Sequence, residues 1–278
     1  MHNGAMEKAY KKLEFLTSRH ARTVRILSEY LEPQARFERY RIKDTVVFFG
    51  SARSLAPDEA EEATRYARHS GDAEAIERAR MAMSLARYYD DARTLARKLT
   101  EWSKSLPPSE RRFIVCSGGG PGIMEAANRG ASDVSGISIG LGISLPAEPS
   151  NNEYITREMA FEFHYFFMRK FWFVYMAKAL VVFPGGFGTL DELCEILTLR
   201  QTRKIDRPLP IVLYGKDYWN EVMNFEAMVR WGTISRDDLD LFWMADSPEE
   251  AFEHLKGELV RLYLNNSAGK EHGSPDPA

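Results

Sequence analysis

The chain has 278 residues, of which 44% are hydrophobic and 28% are charged, a composition typical of a globular protein with one large domain or two small ones. The formal net charge of −3 provides no global attraction for nucleic acid or for an anionic membrane. With only two cysteines, the chain is not expected to have a disulfide framework. Without a matching histidine cluster, these cysteines give no reason to expect a metal site.

The sequence predicts neither a secretory signal nor a membrane span. Its first residues, MHNGAMEKAYKKLEF, lack an apolar core followed by a cleavage site. The most apolar stretch, Phe161–Val174, carries His164, Arg169 and Lys170, so it is better interpreted as a buried helix than as a membrane helix. We therefore expect a cytoplasmic protein with no membrane partner and no nucleic-acid partner.

Residues 1–44 are predicted to form an N-terminal helical extension. Apolar residues recur there at mostly helical spacings among charges, which indicates one or two amphipathic helices ending before Pro33. Thr45–Phe49 follows as a short β-branched and aromatic run that ends at a glycine. This run predicts a buried strand and the start of the main domain, which we place at residues 45–264.

Residues 57–106 differ from the rest because they are rich in Ala, Arg, Glu and Asp. Apolar residues at helical spacing, interrupted at Gly71, predict two helices. No catalytic constellation is present in this segment. We interpret it as a helical insertion that packs on the domain or on a partner subunit.

From residue 112 onward, predicted strands and helices alternate. This alternation indicates an α/β fold with a Rossmann-like, mostly parallel sheet and helices on both faces. A capping box at Ser247, with a proline at the first helical position, opens the last helix. Residues 265–278 are polar and are predicted to be a disordered tail.

Two glycine-rich loops each follow a predicted strand and open a predicted helix: Ser117–Gly122 (SGGGPG) and Pro184–Thr189 (PGGFGT). Glycines let the backbone approach a ligand closely, and the amides of a helix N-terminus attract an anion. Either loop alone could be a tight turn without a ligand. Because ligands bind beyond the carboxyl ends of parallel strands, the two loops together predict one phosphate site.

Further polar groups lie close to these loops in sequence. Thr189 and Glu192 form a T-x-x-E pattern, so Glu192 could simply cap its own helix. Arg169 and Lys170 lie within an aromatic helix, where two cations need a helix end, a carboxylate or an anionic ligand. A surface stripe or a structural salt bridge would also satisfy this pair.

The segments SGGGPGIMEAANRGA, MRK and PGGFGTLDE together resemble the Lonely Guy (LOG) family, long described as possible lysine decarboxylases. The resemblance extends from about Thr45 to Tyr214, interrupted by residues 57–106. It implies a phosphoribohydrolase that splits a nucleoside 5′-monophosphate, such as AMP or a cytokinin-type nucleotide, into free base and ribose 5-phosphate without a metal or cofactor. It also implies a homodimer or a higher homo-oligomer.

The resemblance further implies roles for individual residues. Arg169 and Glu192 would be the catalytic pair, and Glu192 would stabilise the positive charge that develops on the sugar. The resemblance implies that the nucleotide is contacted by Glu148, Lys170, Gly185, Gly186, Gly188, Thr189 and Thr198. Further candidate substrate-binding residues in or beside the same motifs are Ser51, Gly118, Gly119, Gly120, Met168 and Phe187.

Two other hypotheses fit parts of the same pattern. A protein that senses a nucleotide without cleaving it would use the same loops, with residues 57–106 as its effector surface. A pyridoxal-phosphate decarboxylase would need Lys170 or Lys178 as the Schiff-base lysine, but no recognisable acid accompanies either one.

Overall fold

The computed structural model describes residues 6–107, 110–144 and 151–265. Within these ranges the chain forms one seven-stranded parallel sheet with the strand order β4-β3-β2-β1-β5-β6-β7. This confirms the predicted Rossmann-like α/β class. The strands are β1 (Thr45–Phe49), β2 (Ile114–Ser117), β3 (Ser138–Ile143), β4 (Ala160–Phe163), β5 (Ala177–Val182), β6 (Ile211–Tyr214) and β7 (Trp243–Ala245).

The α-helices alternate with these strands along most of the chain. They are α1 (Leu13–Thr17), α2 (Arg22–Arg39), α3 (Pro57–Ser70), α4 (Ala73–Lys104), α5 (Ile123–Asp133), α6 (Phe166–Met176), α7 (Phe187–Gln201), α8 (Lys216–Val222), α9 (Phe225–Arg230) and α10 (Pro248–Leu259). No helix in the described ranges is both long enough and apolar enough to cross a membrane.

The sheet is buried on both faces because its strands are apolar at almost every position. Along β1, Val47 and Phe49 pack into one core, whereas Val46 and Phe48 pack into the other. Helices α2, α6, α7 and α8 cover the first face, and α4, α5 and α10 cover the second. This two-faced burial is typical of parallel sheets with helical crossovers.

The predicted end of the N-terminal helix before Pro33 is wrong. Helix α2 continues through Pro33 to Arg39. Proline cannot donate to the carbonyl four residues earlier, which would leave Glu29 O without its helical partner. The indole Nε1 of Trp172 donates to Glu29 O at 3.0 Å, so a residue of α6 satisfies this carbonyl.

The segment 57–106 forms the two predicted helices, α3 and α4, with Gly71 between them in a left-handed conformation. The second half of α4 does more than pack on the surface. Its residues Tyr89, Leu95 and Leu99 are fully buried beneath the sheet. This half is therefore the crossover between β1 and β2, whereas α3 and the first half of α4 form the extension beyond it.

Three local predictions need correction. The strands β4 and β7 have no counterpart among the predicted elements. The single helix predicted from Tyr218 to Trp231 is two helices, α8 and α9. The chain leaves helical geometry at Met223, and the side chain of Asn224 then accepts a hydrogen bond from Ala227 N to cap α9.

Candidate active site

The two glycine-rich loops lie side by side at the carboxyl edge of the sheet, as predicted. β1 pairs with β2 on one side and with β5 on the other, so the chain leaves β1 between the two loops. Ser51 links them, because its N–H donates to Pro184 O at 2.9 Å and its carbonyl accepts from Ile123 N at 3.0 Å. This crevice is the position where ligands bind in open parallel sheets.

A cavity of about 930 Å³ opens over these loops. Eleven of the predicted site residues line it. They are Ser51, Gly118, Gly119, Gly120, Arg169, Gly185, Gly186, Phe187, Gly188, Thr189 and Glu192.

The loop after β2 is held in shape by a network of side-chain amides. Gly119 and Gly122 adopt positive φ angles of 76° and 71°, which favour glycine. Asn152 donates to the carbonyls of Gly119 and Gly120 at 2.9 and 3.0 Å, and also to the buried Asn128. The loop is therefore fixed before any ligand binds.

The loop after β5 leads directly into α7, which begins at Phe187. The predicted capping box of Thr189 and Glu192 is wrong, because both residues lie inside the helix and its N-cap is Gly186. The flexible glycines let the backbone enter the helix earlier than the T-x-x-E pattern indicates. No side chain of the described residues caps the first-turn amides, and this end of α7 faces the cavity. It therefore offers hydrogen-bond donors to an anion.

Arg169 lies where the two sides of the cavity meet. Its Nε donates to Leu141 O at the end of β3, at 2.7 Å. A Cβ at Gly118 would lie 2.5 Å from the guanidinium Nη2, so only glycine leaves room for this arginine. The glycine of the first loop and the arginine of α6 therefore pack directly against each other.

Glu192 is a buried carboxylate that lines the cavity. It is only 6% exposed, and its Oε2 has no hydrogen-bond partner among the described residues. Burial raises the pKa of Glu192 to about 7, although the charges of Lys170 and Arg169 oppose the rise. A carboxyl that titrates near neutrality in a cleft is a common property of catalytic groups.

Lys170 does not line the cavity. Its Nζ contacts Asp191 Oδ2 at 2.8 Å and Glu195 Oε2 at 2.7 Å, both on α7. Burial disfavours its charged form, but these two acids outweigh that effect and raise the pKa of Lys170. The lysine of α6 is therefore held by two acids of α7, one of which precedes Glu192 in sequence and one of which follows it.

Three more candidate substrate-binding residues either do not line the cavity or lie outside the described residues. Met168 is buried in the core on the first face of the sheet, the face that α2, α6, α7 and α8 cover. The hydroxyl of Thr198 donates to Cys194 O within its own helix, at 2.7 Å. Glu148 lies outside the described residues, as do residues 266–278 of the predicted tail.

The cavity also contains polar and aromatic residues that the sequence did not reveal. Ser144, Asn151, Glu162 and Phe166 line the end of the cavity near β3 and β4. The alternation in Phe161-Glu162-Phe163 was a possible strand signal, because both phenylalanines are buried and the glutamate is exposed. Among the described residues, no group of three or more His, Cys, Asp or Glu could hold a metal ion.

Comparisons with known proteins found a matching family model and curated relatives. Residues 124–255 match the model of the family described as possible lysine decarboxylase. A probable cytokinin riboside 5′-monophosphate phosphoribohydrolase of Oryza sativa subsp. japonica is 27% identical, over 51% of this chain and 58% of its own length. A pyrimidine/purine nucleotide 5′-monophosphate nucleosidase of Escherichia coli K12 is 33% identical, over 38% of this chain and 25% of its own.

Among solved structures, a Moco carrier protein from Chlamydomonas reinhardtii aligns with 79% of this chain and 99% of its own, at 17% identity and a TM-score of 0.48. The chain spans less than two thirds of the length of each of the two curated relatives. Both relatives carry the names of N-glycosyl hydrolases. The family match and these relatives confirm that this chain resembles the Lonely Guy proteins, the family described as possible lysine decarboxylase.

Proposed function

We propose that this protein hydrolyses the N-glycosidic bond of a nucleoside 5′-monophosphate, releasing the free base and ribose 5-phosphate. AMP and cytokinin-type nucleotides are the substrates that we put forward first. The observation that carries the proposal is the Glu192 carboxyl. It is buried, lines the cavity, has an Oε2 atom without a hydrogen-bond partner among the described residues, and lies five residues after the start of α7.

The 5′-phosphate binds at the N-terminus of α7 in this proposal. The first-turn amides there have no side-chain cap, and Thr189 adds a hydroxyl that lines the same cavity. The positive end of the helix dipole favours a dianion at this position. A ribose attached to that phosphate then extends along α7 toward Glu192, which is three residues further into the helix than Thr189.

The reaction breaks the bond between C1′ and the base nitrogen. The base leaves with the bonding electrons and gains a proton, while a water oxygen forms a bond to C1′ and loses a proton. Positive charge builds on the sugar ring in the transition state, and an ionised Glu192 stabilises that charge. The same carboxylate orients the water and accepts its proton.

Arg169 and Lys170 support the ionised state of Glu192. Both cations lower the pKa of Glu192 against the effect of its burial. The hydrogen bond from Arg169 to Leu141 O keeps the guanidinium at the floor of the cavity. In this proposal Arg169 touches the nucleotide, whereas Lys170 acts through Glu192 and its helix.

A base-release assay over AMP, GMP, CMP and UMP tests the proposal. We expect release from at least one nucleotide, and we expect Glu192→Gln to lower kcat by at least about 100-fold, because a general base typically contributes that much. Affinity for ribose 5-phosphate should stay nearly unchanged. Glu221→Gln is the control, since Glu221 is an exposed glutamate of α8 that does not line the cavity.

Binding of the nucleotides without any release of base would refute hydrolysis and would leave a nucleotide sensor. A Glu192→Gln variant with wild-type kcat would refute the assigned catalytic role.

We also propose that the active protein is a homodimer or a higher homo-oligomer. Exposed apolar residues on α2, namely Val24, Leu27 and Leu31, support this proposal because they form a helical stripe that no described residue covers. Light scattering after size exclusion measures the assembly mass directly. A monomer at micromolar concentration would contradict the proposal.

A further inference from the structure

The end of the cavity near β3 and β4 contains a carboxylate held in one orientation. Ser144 Oγ donates to Glu162 Oε1 at 2.7 Å. A Cβ at Gly142 would lie 2.7 Å from both Glu162 Oε2 and Asn151 Oδ1, so these two polar groups flank the glycine. No Lys, Arg or His of the described chain forms an ion pair with Glu162. Its second oxygen therefore remains available to a hydrogen-bond donor in the cavity.

The order of groups along the cavity indicates which part of a nucleotide reaches this end. Arg169 lies beyond Glu192 in the direction of β3, because its Nε donates to Leu141 O. Gly142 follows Leu141, and the sheet register places Gly142 beside Glu162 of β4. With the phosphate at α7 and the sugar beside Glu192, the base therefore points toward Glu162.

An aromatic side chain at this end fits the same orientation. Phe166 lines the cavity from the first residue of α6 and is 50% exposed. A half-exposed phenylalanine in a cleft provides an apolar surface on which a planar base can stack. A carboxylate beside an aromatic face is a combination that suits a base better than a sugar.

We propose that Glu162 reads the base of the substrate and selects bases that present an exocyclic amino group, such as adenine and cytosine. A carboxylate can only accept hydrogen bonds, so it pairs with an amino group and repels a carbonyl oxygen. Phe166 contributes stacking that does not depend on base identity. This inference rests on the proposed function for the placement of the phosphate and the sugar.

The discriminating pair of ligands is AMP and IMP, because IMP has a carbonyl oxygen where AMP has its amino group. Both dissociation constants are measured by calorimetry in the Glu192→Gln background, so that no nucleotide is consumed. We expect AMP to bind at least about 10-fold more tightly than IMP, because the bound base covers Glu162, and the carbonyl oxygen of IMP then leaves its carboxylate without a hydrogen bond at that position. Adding Glu162→Gln should reduce this ratio to within about 3-fold, because an amide can donate to the carbonyl.

Two control variants separate base reading from a general loss of the site. Glu153→Gln changes an exposed glutamate that does not line the cavity, so the AMP-to-IMP ratio should not change. Phe166→Ala should weaken the binding of both nucleotides by the same factor, about 5-fold or more. Phe167→Ala is its matched control, since Phe167 is 51% exposed but lies outside the cavity lining.

Several outcomes would overturn the inference. The first is that Glu162→Gln leaves the ratio of the AMP and IMP affinities unchanged, whether or not it weakens the binding of both. The second is that Glu192→Gln, with Glu162 in place, binds IMP more tightly than AMP. The third is that it binds neither nucleotide. The ratio is measured at equilibrium, so it also decides the role of Glu162 if the protein releases no base. Failure of the proposed hydrolysis and failure of base reading are therefore distinguishable.

Discussion

Replacing Lys170 with methionine tests whether electrostatics controls the site. The pKa of Glu192 is about 7 because burial raises it further than the opposing charge of Lys170 lowers it. Removing this nearby cation makes ionisation of Glu192 less favourable by on the order of 1–2 kcal/mol at an effective dielectric constant near 20. At about 1.4 kcal/mol for each pH unit, the acid limb of the pH–rate profile should move upward by about one unit.

The sign of the effect follows from the ionised state that the proposed chemistry needs. In the wild type, kcat/KM should rise as the pH increases through about 7 and then level off. At pH 7 about half of Glu192 is ionised in the wild type and about a tenth in Lys170→Met, a loss of about 5-fold. Above pH 9 the two enzymes should become nearly equal. Steady-state kinetics from pH 5.5 to 9.5 gives both profiles.

The control for this experiment is Lys204→Met, which removes an exposed lysine just beyond the end of α7. Its profile should overlay that of the wild type. A constant loss at every pH in Lys170→Met would instead indicate that Lys170 binds the substrate directly. A midpoint that stays in place or moves downward would refute the electrostatic account.

Three further predictions concern stability. The pKa of Glu192 is about 7 in the fold, against 4.5 for an ordinary glutamate. Ionisation of this buried carboxyl therefore destabilises the fold as the pH rises from 4.5 to about 7. In urea titrations, Glu192→Gln should stabilise the protein by about 2–3 kcal/mol at pH 8 but not at pH 4. Asp44→Asn should destabilise it by about 3 kcal/mol or more in the same titrations, because Asp44 is fully buried and receives two hydrogen bonds from Arg112; a loss below about 1 kcal/mol would contradict the pairing. Gly122→Ala should lower the melting temperature and the activity, since the new Cβ would lie 2.3 Å from Ser51 O at a φ of 71°, whereas a Cβ at Gly188 meets nothing within 4 Å and Gly188→Ala should keep the fold.

The sequence predicted the parts of the site that depend on local rules. Each glycine-rich loop follows an apolar strand and precedes a helix, so the positions of Gly119 and Gly186 at the carboxyl edge of the sheet could be expected from connectivity alone. The resemblance placed Arg169 and Glu192 in one site, and both line the same cavity. Their roles in catalysis stay predictions.

Other features depend on tertiary contacts that no local pattern encodes. Pro33 could be accommodated inside α2 because Trp172, far away in sequence, donates to the carbonyl of Glu29. The burial of Glu192 arises where α7 meets α6, so the T-x-x-E pattern suggested a capping role instead. Glu162 was not predicted as a site residue because β4 is only four residues long and lies in a run of aromatic residues that favours a helix.

Product analysis of a single turnover with AMP tests the central claim most directly. Enzyme in excess is mixed with AMP, and the quenched mixture is separated by liquid chromatography with mass detection. The proposed hydrolysis predicts adenine and ribose 5-phosphate in equal amounts, with no product from Glu192→Gln on the same timescale. Adenosine with inorganic phosphate, or equal amounts of adenine from Glu192→Gln and wild type, would contradict it.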